Sequence, residues 1–355
     1  MPLFAGRLLL ADAAVAGYLE VEGGRVIDWG EGPAPARPDA TGWIVPSPVN
    51  AHTHVADAFL RDLPDKPRSV PELVGPGGWK QRHLAQGAAA DIKAGIEQYT
   101  QEMAAIGTTR FLDFREGGLG GVRFLRSIAA DLTVEPFILG RPATNTFDDA
   151  EAKALVAEAD GIGLSALRDF KDPGDAEAWA EVCHRLHKPF ALHVSEAKRE
   201  DIDAVVALAP TFLVHATQAT KADLQAIADA DIPVVVCPRS NAYYGHKTPL
   251  DRMVDAGVTV AIGTDNGMLH DGNLLAELGL LRAWFPRVPV EALIRMATWN
   301  SRKLVGLPSA LPPKRGKALD VVVFPEDPFP APRPTRPSLA PIPAPPATPL
   351  EGDDA

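Results

Sequence analysis

Short apolar runs alternate with amphipathic stretches along the chain, from about residue 44 to residue 284. Each apolar run has the length of a strand buried on both faces, and each amphipathic stretch repeats its apolar residues at helical spacing. Strands separated by helices run parallel, because each helix returns the chain to the same edge of the sheet. The predicted strands span residues 44–50, 109–114, 134–139, 161–167, 190–194, 212–215, 234–237 and 258–263.

The number of strand–helix units predicts the fold class. Eight parallel units in an α/β chain close into a (β/α)8 TIM-like barrel of roughly 250 residues, with its functional residues at the carboxyl ends of the strands. An open doubly wound sheet is the alternative that the same alternation allows. The main predicted helices span residues 88–106, 175–186, 201–208, 221–230, 250–256, 274–284 and 289–304.

Both ends of the chain carry strand patterns outside the predicted barrel. One more apolar run, at residues 318–324, follows the last helix. A lone strand after a complete barrel needs a partner, and the amino-terminal strands are the obvious one. The amino-terminal patterns lie at residues 7–10, 17–21 and 25–29, with a turn signal at Gly23-Gly24.

These patterns predict three parts of the chain. Residues 1–46 and 308–325 are expected to form a small β-sandwich domain from both chain ends, and residues 47–307 are expected to form the barrel. Residues 326–355 are rich in proline, which cannot continue a helix or occupy the interior of a sheet. We therefore expect a Pro-rich disordered tail at the carboxyl end.

Composition narrows the functional classes. The chain has 355 residues and a formal net charge of −11, which argues against a nucleic-acid partner because such partners usually meet a basic face. No apolar run approaches the ~18 residues of a membrane span, and the amino terminus lacks the basic start of a signal peptide. Cys183 and Cys237 are the two cysteines, too few for a disulfide framework. We expect a cytoplasmic protein without a membrane partner.

Histidines and an aspartate stand at the ends of several predicted strands. His52 and His54 are two residues apart, so on a strand both point the same way. His193, His215 and Asp265 end the fifth, sixth and eighth strands, each after apolar residues. Because the carboxyl ends of barrel strands meet at one rim, these side chains are expected to converge. Imidazoles and a carboxylate are typical ligands of a divalent metal ion.

In these motifs the sequence resembles the amidohydrolase superfamily of metal-dependent hydrolases. The resemblance extends to the run CPRSN at residues 237–241, and to DAGV at residues 255–258 leading into GTD at residues 263–265. The nearest branch holds the cytosine, guanine and adenosylhomocysteine deaminases, with the triazine hydrolases nearby. The resemblance implies that one metal ion is bound by four side chains, those of His52, His54, His193 and Asp265.

The resemblance also implies the catalytic residues. Glu196 would be the proton shuttle, and His215 would lie beside the water and the substrate. A bound metal can lower the pKa of water to roughly 7, so Asp265 can accept a proton from it while Glu196 delivers one to a ring nitrogen. We expect Zn²⁺, with Fe²⁺ as the other candidate. The predicted strand at residues 161–167 has no lysine at its end, which favours a single metal ion.

Substrate recognition is expected from loops above the barrel. The loop after the first barrel strand carries a tryptophan that can stack on a planar ring, and basic groups that can hold an anion. Other polar residues follow the seventh and eighth strands. The candidate substrate-binding residues are Trp79, His83, Arg239, Asn241 and His270.

The sequence therefore favours hydrolytic deamination of an aminated heterocycle, such as a nucleobase or a related small molecule. A cyclic amide hydrolase of the imidazolonepropionase type and a chlorohydrolase are alternatives, because both share the same site residues. A non-catalytic barrel that binds a metal or ligand is less favoured, because a binder has no use for Glu196. We expect a small-molecule substrate, and a homo-oligomer is left open.

Overall fold

The computed structural model describes residues 1–308, 310–318, 320–329 and 348–349. Its strands form a parallel sheet of nine strands and a mixed sheet of six. The strands are β1 (Leu3–Leu9), β2 (Ala14–Glu22), β3 (Arg25–Glu31), β4 (Ala40–Pro46), β5 (Val49–His54), β6 (Arg110–Arg115), β7 (Glu135–Gly140), β8 (Gly161–Leu164), β9 (Phe190–Val194), β10 (Phe212–His215), β11 (Val234–Val236), β12 (Val260–Ile262), β13 (Asp265–Asn266), β14 (Val321–Phe324) and β15 (Thr348–Pro349).

Helices connect the strands of the parallel sheet. A π-helical turn at Met296–Asn300 joins the last two of them. The helices are α1 (Val70–Leu73), α2 (Trp79–Gln86), α3 (Ala89–Ala104), α4 (Gly118–Ile128), α5 (Asp149–Glu158), α6 (Pro173–Arg185), α7 (Ile202–Ala207), α8 (Lys221–Asp229), α9 (Pro238–Tyr243), α10 (Leu250–Asp255), α11 (Leu274–Trp284), α12 (Val290–Arg295) and α13 (Ser301–Lys303). None of the helices within the described ranges is long and apolar enough to cross a membrane.

The parallel sheet curls until its two ends meet. In the order of the sheet, β12 and β13 stand at opposite ends, and β5 to β11 lie between them. Only Gly263 and Thr264 separate β12 from β13, so one segment of chain pairs with β11 through its first part and with β5 through its second. The Thr264 amide donates a hydrogen bond of 3.1 Å to the His52 carbonyl oxygen. The predicted α/β class with a TIM-like barrel is confirmed.

Most predicted barrel strands agree with the observed ones. The strands Phe190–Val194 and Phe212–His215 match at both ends. The predicted strand at residues 161–167 is too long, because β8 ends at Leu164 and the chain then enters a 3-10 turn at Leu167–Asp169.

The prediction of one strand at residues 44–50 was wrong. The chain forms β4, which ends at Pro46 in the mixed sheet, and then β5, which begins at Val49 in the barrel. Pro46 and Pro48 have no amide hydrogen, so neither can donate to a strand ladder. The Ser47 amide between them donates to the Asp320 carbonyl oxygen at 3.1 Å. The two prolines thus mark the point where the chain leaves one sheet for the other.

The mixed sheet combines strands from both ends of the chain, in the order β15-β14-β4-β1-β2-β3. At its centre β4 runs parallel to β1 and antiparallel to β14. Gly6 of β1 stands opposite Gly42 of β4, where a Cβ atom on Gly6 would lie 2.0 Å from the Gly42 carbonyl oxygen. A Cβ atom on Gly42 would in turn lie 1.9 Å from the Phe324 carbonyl oxygen of β14, so both positions need glycine for the strands to pair this closely. The described strands from the two chain ends form this single mixed sheet, and the second layer of the expected β-sandwich is not confirmed.

The predicted tail begins at residue 326 and lies mostly outside the described residues. Within residues 326–329, Phe329 is buried, and the Trp43 indole donates to the Glu326 carbonyl oxygen at 3.4 Å. The disordered tail and the three domain boundaries therefore stay predictions.

Apolar side chains fill the interior of the barrel. The polar residues of the predicted site come later along the same strands, nearer the carboxyl ends. The site therefore rests on a close-packed floor that excludes water from one side. The interior apolar residues are Val49, Ala51, Leu112, Phe114, Leu139, Ala191, Phe212, Val214, Val235, Cys237 and Ala261.

Candidate metal centre and active site

A bulge in β5 turns the histidine pair into the barrel. Ala51 belongs to the apolar cluster inside the barrel, so regular alternation would point the next side chain outward. The pairing register with β6 shifts between Asn50 and Thr53, which marks a bulge. The ring of His52 faces inward as a result, and it contacts the ring of Phe114 with centroids 4.5 Å apart.

The side chains predicted as metal ligands converge at the carboxyl ends of the strands. The ligating atoms of His52, His54 and His193 lie within 4.8 Å of one another. Asp265 Oδ1 lies 3.3 Å from His52 Nε2 and 3.6 Å from His54 Nε2. Within the same limit His215 joins His52 and Asp265 in a second group. The structure therefore brings together all five residues of the predicted centre.

The burial of this cluster fits a metal ion. His52 is 0% exposed, and neither of its ring nitrogens has a hydrogen-bond partner among the described residues. A buried polar group without a partner is costly, so these nitrogens fit a ligand shared with the nearby carboxylate. Burial lowers the pKa of His52 to about 3, and burial together with His52 holds the pKa of His193 well below its usual value. Neutral imidazoles are the form that binds a divalent metal.

Neighbouring strands hold two of these histidines in orientation. His193 Nδ1 lies 2.8 Å from the Leu164 carbonyl oxygen, and His54 Nδ1 lies 3.1 Å from the Phe114 carbonyl oxygen. A carbonyl oxygen can only accept a hydrogen bond, so each Nδ1 carries the proton and each Nε2 is left as a lone-pair donor to a metal.

Glu196 and His215 lie together beside these ligands. Glu196 Oε1 is 3.8 Å from His215 Nε2, and the Glu196 side chain is largely buried. Burial raises the pKa of Glu196 against the opposing effect of His215, and Asp265 adds to the rise. A carboxyl group with a raised pKa is suited to carry and release a proton.

Several residues around the centre adopt a left-handed backbone without being glycine. His215 has a φ of 77°, Asp265 has 61° and Ser195, next to Glu196, has 45°. Each such residue costs about 1–3 kcal/mol, and such residues concentrate at functional sites. The bends end the strands abruptly and re-aim the side chains, which no pattern of residue types in the sequence indicates.

Trp79 and His83 lie on α2, which contacts Glu116 after β6 and Asn266 in β13 through Lys80. Trp79 is buried in an apolar cluster with Leu73 and Met268. The rings of Trp79 and His83 stack at 3.9 Å, and Lys66 Nζ lies 5.6 Å from the Trp79 ring centroid. Protein groups therefore pack against the Trp79 ring, and its contact with a substrate stays a prediction.

Arg239 is fully engaged with protein groups. It donates hydrogen bonds of 2.6 Å to Glu277 Oε1 and to Asp271 Oδ1, and further ones to the carbonyl oxygens of Asp271 and Asn273. Glu277 is 0% exposed. This ion-pair network fixes the start of α9 to α11, which is a structural task for a residue predicted to contact substrate.

Asn241 and His270 differ in whether a side-chain hydrogen-bond donor is left without a partner. The Asn241 Oδ1 accepts a hydrogen bond of 2.9 Å from Thr248, and its buried Nδ2 has no partner in the described part of the chain. His270 Nε2 lies 3.0 Å from the Arg239 carbonyl oxygen, and burial lowers the pKa of His270 to about 3. Of the two, Asn241 has a donor left for a ligand.

Two contacts on the metal-ligand side chains were not predicted from the sequence. Ser240 donates to Asp265 Oδ2 at 2.5 Å, and Glu116 Oε1 lies 2.7 Å from His54 Nδ1. Glu116 directly follows β6, so the strand-end rule that selects the other residues would also have found it. Ser240 lies within the run CPRSN, where the sequence offers no sign of its partner.

The chain is similar in sequence and in fold to several known proteins. The amidohydrolase family matches residues 43–334. A putative aminohydrolase of Archaeoglobus fulgidus is 34% identical over 237 residues, which cover 66% of this chain and 67% of that protein. A 5-methylthioadenosine/S-adenosylhomocysteine deaminase of Halobacterium salinarum is 27% identical over 343 residues, which cover 81% of this chain and 75% of that protein. The structure of atrazine chlorohydrolase from Arthrobacter aurescens TC1, solved with zinc, matches with a TM-score of 0.68 at 18% identity. The match covers 92% of this chain and 88% of that protein.

The fold and the site define a hydrolase built on a metal-binding barrel. The chain belongs to the amidohydrolase family, and the resemblance drawn from the sequence motifs is confirmed. It is an enzyme that acts on carbon–nitrogen bonds.

Proposed function

We propose that this chain removes the amino group of a small aminated heterocycle by hydrolysis and releases ammonia. The relative from Halobacterium salinarum bears the name of a deaminase of two purine nucleosides, which supports a substrate of this class. The observation that carries the proposal is Glu196, a buried acid beside His215 and the metal-ligand cluster. Deamination of a heterocycle needs a proton at a ring nitrogen, and an acid in this place can supply it.

His52, His54, His193 and Asp265 would hold one divalent ion, with Zn²⁺ favoured over Fe²⁺ by the nitrogen-rich donor set. When bound, the ion would supply a Lewis acid that lowers the pKa of a water molecule to roughly 7. A second ion is not expected, because β8 ends at Leu164 and is followed by Ser165 and Ala166 rather than by a bridging lysine.

The residues around the ion would divide the proton transfers between them. Asp265 would accept a proton from the attacking water, and Glu196 would carry a proton to the ring nitrogen of the substrate. His215, 3.8 Å from Glu196, would orient the substrate beside that acid. Asn241 Nδ2 would offer the heterocycle a hydrogen-bond donor, with Trp79, His83 and His270 in the surrounding wall.

A scan for ammonia release tests this proposal. Purified protein with a measured metal content would be assayed against purines, pterins and pyrimidines. Glu196→Gln should keep the metal and lose about 10²–10⁴ in kcat, the usual range for a general acid–base. The exposed Glu177→Gln is a matched control. Full turnover in Glu196→Gln would contradict the proposed mechanism.

The same assays separate the other reactions. Ring opening of a cyclic amide without ammonia would indicate an imidazolonepropionase-like enzyme, and chloride release would indicate a chlorohydrolase. Two metal ions per chain would contradict the single-ion proposal.

We place the enzyme in the cytoplasm, since Cys183 and Cys237 are both buried and unpaired, as a reducing compartment allows. A small-molecule substrate is the only partner that the site requires, and sedimentation would decide between a monomer and a homo-oligomer.

A further inference from the structure

One buried lysine connects three segments at the barrel rim. Lys80, the second residue of α2, is 4% exposed. Its Nζ lies 2.6 Å from Glu116 Oε1 and 3.0 Å from Asp57 Oδ2, and it donates a hydrogen bond of 2.8 Å to Asn266 Oδ1. Asp57 follows β5, Glu116 follows β6, and Asn266 is the neighbour of Asp265 in β13. A single ammonium group therefore holds together the segments that carry three of the metal ligands.

The charges in this group depend on each other. A buried ion is strongly destabilising unless a partner of opposite charge lies against it. Asp57 is 0% exposed, and its Oδ1 is fixed by the Met268 amide at 2.9 Å. Without Lys80, two carboxylates would face each other, and the next cation is Arg141, 3.8 Å from Glu116 Oε1. Loss of the lysine should therefore displace Glu116, whose oxygen is the less constrained.

Glu116 is also the link to the metal centre. The oxygen that faces Lys80 lies 2.7 Å from His54 Nδ1, and His54 Nε2 on the far side of the ring lies 3.6 Å from Asp265 Oδ1. Because the two ring nitrogens are rigidly related, the group that holds Nδ1 also sets the direction of Nε2. His193 Nδ1 contacts a backbone carbonyl oxygen, whereas His54 Nδ1 contacts both a carbonyl oxygen and the Glu116 carboxylate.

We propose that Lys80 is a positioning residue of the metal site, acting on His54 through Glu116. It keeps the Glu116 carboxylate against Nδ1 and so keeps Nε2 of His54 aimed at the ion. The inference rests on the proposed function only in that a divalent ion binds here, and it does not depend on the substrate. It follows that α2, through Lys80, supports metal affinity.

Zinc affinity of the full-length protein tests this inference. Metal-free wild type, Lys80→Met, Glu116→Gln and the double variant would compete for zinc with a chromophoric chelator. Each single variant should bind zinc about 10–100-fold more weakly, the usual loss when a partner of a ligand is removed. The double variant should bind no more weakly than the weaker single one, because both changes break the same chain of contacts. The cobalt(II) absorption spectrum should change in Lys80→Met.

Two kinds of control distinguish a positioning role of Lys80 from a purely structural one. Lys153→Met removes a lysine whose side chain is 71% exposed, and it should retain wild-type affinity and spectrum. If Lys80→Met loses thermal stability but keeps its zinc affinity and cobalt spectrum, the inference is overturned. Additive losses in the double variant would also overturn it. Should Lys80→Met fail to fold, Glu116→Gln carries the same prediction, and wild-type affinity there would refute it. Absence of ammonia release by the wild type would refute the proposed function without altering these affinities.

Discussion

The hydroxyl of Ser240 donates a hydrogen bond of 2.5 Å to Oδ2 of Asp265, while Oδ1 of the same carboxylate faces His52 at 3.3 Å. One oxygen of Asp265 is thus held by α9, and the other points into the histidine cluster. A hydrogen bond to a charged group is worth about 1.5–3 kcal/mol, enough to fix which oxygen faces the metal site.

Ser240→Ala should therefore weaken both zinc affinity and kcat by about 10–100-fold, because Asp265 is left free to rotate. Competition with a chelator and steady-state kinetics measure the two effects. Ser127→Ala, which removes a hydroxyl bonded to the Phe124 carbonyl on the exposed side of α4, is the matched control. Equal zinc affinities in the two variants would show that Asp265 needs no such support.

Arg239→Met should destabilise the fold rather than weaken substrate binding. It leaves the fully buried Glu277 without its cation, which costs about 3–5 kcal/mol. Arg123→Met breaks an exposed pair with Glu158 and should leave the stability almost unchanged, because solvent screens such a pair. Urea unfolding gives both values. Unchanged stability with a raised KM would restore the substrate-binding role predicted from the sequence.

Removal of the metal should lower the stability of the whole barrel. A ligand that binds only the folded state stabilises it by about 4 kcal/mol at a concentration of 1,000 Kd. Melting curves with a chelator and with added zinc should therefore differ. His193→Ala, which removes a ligand, should lose most of this difference. Coincident wild-type curves would mean that no ion is bound at this centre.

We expect the folded state to lose stability in acid as Asp223, in the first turn of α8, becomes protonated. Hydrogen bonds from Arg199 and from the Thr220 amide lower the pKa of Asp223 to about 2, against the opposing effect of burial. The carboxylate is more acidic in the folded state, so its contribution is present above its ordinary pKa of 3.8 and is lost as the pH falls through about 2.

Asp223→Ala should thus cost about 1 kcal/mol at neutral pH, as expected when a capping box loses the acid that accepts from its N-cap amide. The difference in unfolding free energy between wild type and variant should shrink as the pH falls from 3.8 towards 2. A difference that stays constant over this range would mean that the carboxylate charge contributes nothing.

The ligand positions could be predicted because the rule behind them is local. A polar residue that follows an apolar strand must lie at the rim, and His193, His215 and Asp265 satisfy this rule. The bulge in β5 that turns His52 inward could not be predicted, because regular alternation after Ala51 would point His52 outward.

Long-range pairing explains the other differences. Arg239 appears in the sequence as an unpaired cation near the rim, yet its guanidinium donates to Glu277, Asp271 and Asn273, which lie 32 to 38 positions later. Likewise Lys80 appears as a loop cation, and its partners follow two different strands. Spacing in the sequence does not predict such charge pairs, because the partners come together only in the folded barrel.

The chain segment that contains both β12 and β13 links metal binding to the closure of the barrel during folding. Asp265 sits where the last strand meets the first, and Asn50 Nδ2 donates to Thr264 Oγ1 at 2.7 Å across a separation of 214 residues. Such distant contacts are slow to form, because the long intervening loop must first be ordered. The histidines of β5 obtain their carboxylate partner only when this contact forms. Zinc uptake during refolding should therefore report completion of the barrel, not the formation of its individual strands and helices.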